Sequence, residues 1–191
     1  MGIEIHITVP HNLTELSLGS VEARFRSLAG AFGEISRFYA VHGVEYSTGM
    51  WAERVADDWE REWDRDFYGH VPVSFDAPAG FHFCFGPHAV SIHHYTRLGV
   101  FCTEPAIRQS LRSLTYQVVG LLAGDRAIYS PDDYMIYDMV MEGLTFAEIE
   151  SRLLQSGLPA TPFAEFDARQ ERPDHHYYID RFEDFCETKA A

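Results

Sequence analysis

Positive charge is scarce in this chain. Lys189 is its single lysine, and 15 basic residues face 29 acidic ones, for a formal charge of −14 over 191 residues. A nucleic-acid ligand is argued against, because phosphate binding needs a basic surface. Anionic membranes are argued against for the same reason. Cysteine is scarce too: Cys84, Cys102 and Cys186 are too few and too far apart for a disulfide framework, and no two have metal-ligand spacing. They are expected to be reduced thiols, mostly buried, in a reducing compartment. No apolar run reaches the ~18 residues that would span a bilayer. The opening MGIEIHITVP has neither the basic start nor the apolar block of a signal peptide. It starts Met1-Gly2, but His6 stands where myristoylation requires Ser or Thr. The expected location is the cytoplasm. Repeats, linkers and low-complexity segments are missing as well. The expectation is one domain over 1–191, with 158–191 less regular.

Catalytic signatures are equally thin. There is no HExxH, no CxxC, no G-x-S-x-G elbow, no G-x-G-x-x-G and no G-x-x-x-x-G-K-[ST]. The consecutive pairs Asp57-Asp58 and Asp132-Asp133 diverge by about 100° on a helix, which suits no shared acid–base site. No cofactor and no metal are expected.

What is present is a clear structural grammar, with 14 Phe and 10 Tyr to fill a core. The centre runs from Gly80 to Tyr129. Phe81, Phe83 and Phe85 alternate with His82 and Cys84, Gly86-Pro87 marks a turn, and Val90, Ile92 and His94 alternate with Ser91, His93 and Tyr95. That is a hairpin. Thr103 suits a helix cap and Pro105 a first turn. Ile107, Leu111, Leu114, Val118, Leu121 and Leu122 then recur at helical spacing, and Gly124 ends the run. A strand to Tyr129 follows.

Around this centre, Ile3, Ile5, Ile7 and Val9 predict a strand with one buried face. Ser20 caps a predicted helix with Val21, Phe25, Leu28 and Phe32 on one stripe, and 36–46 is expected as a strand, with continuation of the helix to Tyr39 as the alternative. Trp51, Val55, Trp59, Trp63 and Phe67 step by four, which predicts a helix from Thr48 to Phe67 with its aromatic stripe in the core. Val71–Asp76 reads as extended. Ser130, Pro131 and Asp133 predict a capped helix ending at Gly143. Thr145 and Glu148 predict a second, through Ser156, with Phe146, Ile149, Leu153 and Leu154 inward. A short helix is expected over YYIDRFEDF. The fold class is therefore α+β: a mostly antiparallel sheet with helices packed mainly on one face.

Charge is uneven along this plan. Residues 51–66 carry −4, 130–150 carry −6 and 162–187 carry −5, while 67–129 carry +1. Acidic flanks beside Tyr and Met have the composition of a recognition surface for a basic partner. Asp57, Asp58, Glu62, Asp66, Asp132, Asp133, Tyr134 and Tyr137 are the candidate partner-binding residues. The second reading is an enzyme using the hairpin histidines His82, His93 and His94, with or without a metal, and with His88 and Cys84 nearby. It requires several of these groups to converge in one pocket. A third is self-association through an aromatic patch.

The run FGPHAVSIHHYTRLGVF, the arginine-bearing helix, AIYSPDD and EGLTFAEIESRLLQSGLP together, over roughly residues 80–160, resemble the small acidic cytoplasmic immunity proteins encoded beside bacterial polymorphic or contact-delivered toxins. The resemblance implies an α+β protein that binds and occludes a toxin. It implies no catalytic residues.

Overall fold

The computed structural model describes residues 4–46, 51–131, 134–157, 160–168 and 177–182. Among these, eight strands form one sheet: β1 (Glu4–Pro10), β2 (Ala52–Arg54), β3 (Val73–Ala77), β4 (Phe81–Phe85), β5 (Ala89–Arg97), β6 (Arg126–Pro131), β7 (Ala160–Pro162) and β8 (Tyr177–Arg181). Their spatial order is β2-β3-β4-β5-β1-β6-β8-β7, and only the β7–β8 pairing is parallel. Seven helices pack on it: α1 (Leu18–Phe25), α2 (Ala29–Val41), α3 (Asp58–Tyr68), α4 (Leu98–Thr103), α5 (Pro105–Leu121), α6 (Tyr134–Met141) and α7 (Phe146–Gln155). The class is α+β with a mostly antiparallel sheet. No described helix is long and apolar enough to cross a membrane.

The hairpin forms as its alternation predicts. Phe83 pairs with Ile92 and Phe85 with Val90, and the Gly86 N–H donates to the Ala89 carbonyl across the turn. Ile5, Ile7, Phe81, Phe83, Phe85 and Ile92 lie in the main core with α1, α2, α4 and α5, where Ile107, Leu111, Leu114 and Val118 are all buried. A smaller core covers part of the opposite face, where Ile136, Val140 and Met141 of α6 and Phe146, Ile149 and Leu153 of α7 meet Cys84, Ile128 and Tyr177. Leu154, expected inside, is exposed. This second layer changes the environment of β1. His6 and Thr8 alternate with the isoleucines and should face water, yet both are fully buried, because β1 is central and its second face is covered too.

Several expected elements differ. Ser17, not Ser20, caps α1, with Ser20 as the other half of the box. Over 36–46 the helical alternative holds as far as Val41, the end of α2, where Ile35 and Tyr39 continue the buried stripe; 42–46 form a turn and irregular chain, not a strand. Pro105 opens α5 as predicted, but Glu104 is its N-cap residue; the Thr103 hydroxyl donates to the Gly99 carbonyl within α4. Ser130 and Pro131 belong to β6, paired with His6 and Ile5, rather than to the start of a helix. The expected tail helix over 177–185 is strand β8 where it is described. There Tyr177 and Ile179 serve one face and Tyr178 the other. Its Asp180 accepts two hydrogen bonds from Arg112 of α5, at 2.6 and 3.2 Å. The largest difference is at 48–67. Residues 47–50 lie outside the described residues, 52–54 form β2, and the helix starts only at Asp58. Trp51 alone of the aromatic stripe reaches the core, against Phe25, Phe32 and Phe83.

Two glycines test this packing in opposite directions. A Cβ on Gly86 would sit 2.1 Å from the Val140 carbonyl oxygen of α6, whereas one on Gly33 within α2 meets nothing within 4 Å. Gly86→Ala should therefore cost about 3 kcal/mol through overpacking against backbone. Gly33→Ala should stabilise by about 0.5–1 kcal/mol through helix propensity. Urea unfolding of both variants checks this; a neutral Gly86→Ala would contradict the contact between hairpin and α6.

Candidate functional site

Directly paired residues of a sheet share a face. Asp76 pairs with His82, His82 with His93, His93 with His6, and His6 with Ser130. One polar row thus crosses five strands on the face opposite the main core. The next row on that face holds Ser74, Cys84, Ser91 and Thr8.

These side chains engage one another. The His82 Nδ1–H donates to an Asp76 carboxylate oxygen at 2.9 Å. The Ser91 hydroxyl lies between His6 Nε2 and His93 Nε2, the latter at 2.9 Å, and the two imidazoles stack at 4.3 Å. One hydroxyl has one proton, so only one of the two rings can accept from it; the other must donate. Cys84 Sγ lies 3.0 Å from the Ser74 hydroxyl and 3.5 Å from the Tyr137 hydroxyl. Burial pushes its thiol up, so it stays protonated and is a poor nucleophile. His6 is held well below the usual histidine range by burial and then by His93. His94 points the other way, into the main core. Its Nε2–H donates to the Ala79 carbonyl and its Nδ1 accepts from the Thr96 N–H, and burial lowers it to about 4.

The hairpin histidines are therefore divided. His82 and His93 share the polar row and His94 is on the reverse face, although a groove across the strand ends from β2 to β1 touches all three residues. His88 is exposed in the turn. Among the described residues, no three His, Cys, Asp or Glu side chains are placed to hold a metal ion.

Beside this row lies a groove of ≈ 680 Å³ between the sheet, α3 and α6. It is bordered by Arg54, Trp59, Trp63, Asp64, His82 and Tyr137, among others. Asp57 stands at the N-cap of α3, where its backbone N–H donates to the Glu60 carboxylate at 2.9 Å. At 100° per residue the helix sorts its side chains into stripes. Asp58, Glu62 and Asp66 make one, exposed to solvent. Trp59, Trp63 and Phe67 make the next, exposed by 67%, 50% and 58%. Glu60, Asp64 and Tyr68 make the third, half-buried and facing inward. The Tyr68 hydroxyl donates to Asp138 of α6 at 2.7 Å. The aromatic stripe is thus real but points outward, correcting the expectation that it enters the core. Its rings pack on each other: Trp63 and Phe67 are parallel, 4.9 Å apart.

Of the expected partner-binding residues, Asp57, Asp58, Glu62 and Asp66 sit exposed at or on α3, and Tyr137 lies half-buried across the groove. Asp132 and Asp133 lie outside the described residues, as does the side chain of Tyr134, the first residue of α6. Glu60 and Asp64 of the inner row were not among the expected partner-binding residues, although their four-residue spacing was visible in the sequence. His6 and Asp76 were also missed. Their meeting depends on strand order, which a single chain does not display.

Fold and face together define an α+β protein whose sheet is apolar on one side and partly polar on the other, with an exposed aromatic helix beside the polar side. No protein-family model matches the chain. No curated protein matches it either. Among solved structures it is similar to a Pseudomonas aeruginosa T6SS protein, PA0821, with a TM-score of 0.34 and 11% identity. The alignment covers 68% of this chain and 42% of that one, so the chain spans less than half of that protein's length.

The buried imidazoles give the protein a predicted pH dependence. Burial lowers His6, His11 and His94, so each is neutral when folded and becomes charged in the unfolded chain as pH drops below ~6.5. The unfolded state then binds more protons, and stability falls as the pH is lowered through that value. His6→Gln removes one such group, so the slope of stability against pH between 6 and 5 should lessen by up to about 1.4 kcal/mol per pH unit. Urea midpoints at several pH values measure this. An unchanged slope would mean that His6 is not held neutral in the folded protein.

Proposed function

We propose that this protein is a non-enzymatic binding protein, acting in the cytoplasm as an immunity-type inhibitor that occludes a basic domain of a bacterial toxin. One observation carries the reading: the aromatic stripe of α3 is exposed between two acidic rows. Monomeric proteins rarely leave contiguous large aromatics in water, and Trp beside polar residues is the composition of an interface hot spot. The charge selects the partner. Residues 51–66 carry −4 and the chain −14, so the complementary surface is basic.

The division of labour follows. The aromatic rings provide affinity by desolvation, and the outer acids Asp58, Glu62 and Asp66 steer the approach. Trp59→Ala with Trp63→Ala should weaken binding of the toxin encoded beside the gene by about a hundredfold or more, a typical hot-spot loss. The same pair should leave the unfolding midpoint nearly unchanged, because surface substitutions usually cost within about 0.5 kcal/mol. Reversing Asp58, Glu62 and Asp66 should slow association and flatten its dependence on salt. Association kinetics and cell survival under toxin expression read both effects. Undiminished binding by the double variant overturns the reading. So does a dimer of this chain that both alanines abolish, since the stripe would then serve self-association.

A further inference from the structure

The inner side of α3 poses a physical problem. Glu60 and Asp64, one turn apart, turn two carboxylates toward the groove rather than toward open water. Among the described residues, the base within ion-pair range of Glu60 is Arg54, at a loose 4.0 Å and with its side chain 58% exposed; Asp64 has none. Burial, and then the charge of Glu60, push the Asp64 carboxyl up, with His70 pulling weakly the other way. A helix docked by its hydrophobic side would have turned Trp59 and Trp63 inward and these acids out. Here the acids and the indoles border one groove, with Tyr137 on the far wall.

We infer that this groove is a seat for a cationic side chain of a basic polypeptide, held between the faces of Trp59 and Trp63 and the carboxylates of Glu60 and Asp64. The chemistry is specific. Indole faces attract cations, most strongly where water is thinned, and a planar guanidinium both stacks on a ring and bonds a carboxylate in the same pose. A cation there would neutralise two like charges that the groove otherwise leaves facing each other. Arg54 is an internal rival for Glu60, so it should weaken the incoming cation. The inference rests on the binding reading above and names the anchor within that surface.

The test uses the whole chain and two acetylated, amidated peptides, tetra-arginine and its neutral isostere tetra-citrulline. Binding is followed by the indole N–H resonances of Trp51, Trp59 and Trp63. Tetra-arginine should shift Trp59 and Trp63 and leave Trp51, and tetra-citrulline should shift none. Asp64→Asn should weaken tetra-arginine about tenfold, the loss expected for one charge-assisted contact. Asp66→Asn makes the same charge change on the outer stripe and should weaken it far less. Arg54→Ala should tighten binding, an opposite sign that general damage to the fold would not produce. Equal binding of the two peptides, still indole signals, or a looser complex with Arg54→Ala overturns the proposal. Equal losses from Asp64→Asn and Asp66→Asn also overturn the groove anchor, yet leave an acidic binding surface standing. If both groove variants bind the toxin as wild type does, while the outer reversals do not, the same separation is made on the full partner.

Discussion

The structure depends on the sheet having two unlike faces. On one, Ile5, Ile7, Phe81, Phe83, Phe85 and Ile92 meet four helices in an apolar core. On the other, the row Asp76, His82, His93, His6 and Ser130 crosses five strands. A helix packed over such a row gains little from burying tryptophan there, because the transfer benefit is proportional to apolar area removed from water on both partners. A buried imidazole must also keep its hydrogen bonds or pay for their loss. The Ser91 hydroxyl and the stacked ring of His93 satisfy His6 in part; among the described residues its Nδ1 has no hydrogen-bond partner, and neither have the Thr8 and Ser130 hydroxyls. Such groups are commonly met by ordered water.

The placement of α3 follows from that asymmetry. Its inward contacts are polar or single: Tyr68 to Asp138, and the acids Glu60 and Asp64 over the groove. Its large apolar side chains remain outside, where they cost hydration but are available to a partner. The same choice fixes the electrostatics. With Asp58, Glu62 and Asp66 on one flank of the rings and Glu60 and Asp64 on the other, any apolar contact is made inside a negative field. A basic surface then finds both terms favourable, whereas an acidic or neutral one finds only the apolar term.

Much of the fold was legible in the chain. The hairpin, β1, α5 and α7 each carry a full period of apolar residues with a turn or cap at the end, so local pattern and tertiary need agree. The disagreements arise where a period says which residues lie together but not which way they point. Trp59, Trp63 and Phe67 do form a stripe; helical spacing cannot say that the sheet below them is polar. YYIDR is expected as a short helix, but pairing with β6 makes it a strand whose Asp180 meets Arg112. Of the site, the acidic outer residues of α3 were legible from charge alone. The histidine row and the groove were not, because they require the order β3-β4-β5-β1-β6 to bring distant strands side by side.

The central claim is that the α3 aromatics lie in water in the free protein while Trp51 does not. Three variants, each retaining one tryptophan with the other two changed to phenylalanine, allow its direct measurement by acrylamide quenching under conditions where the chain is a monomer. The structure predicts that Trp59 and Trp63 are readily quenched and emit at long wavelength, and that Trp51, exposed by 9%, is shielded and emits at shorter wavelength. Shielded Trp59 and Trp63 in the monomer would place the stripe in the core and contradict the account.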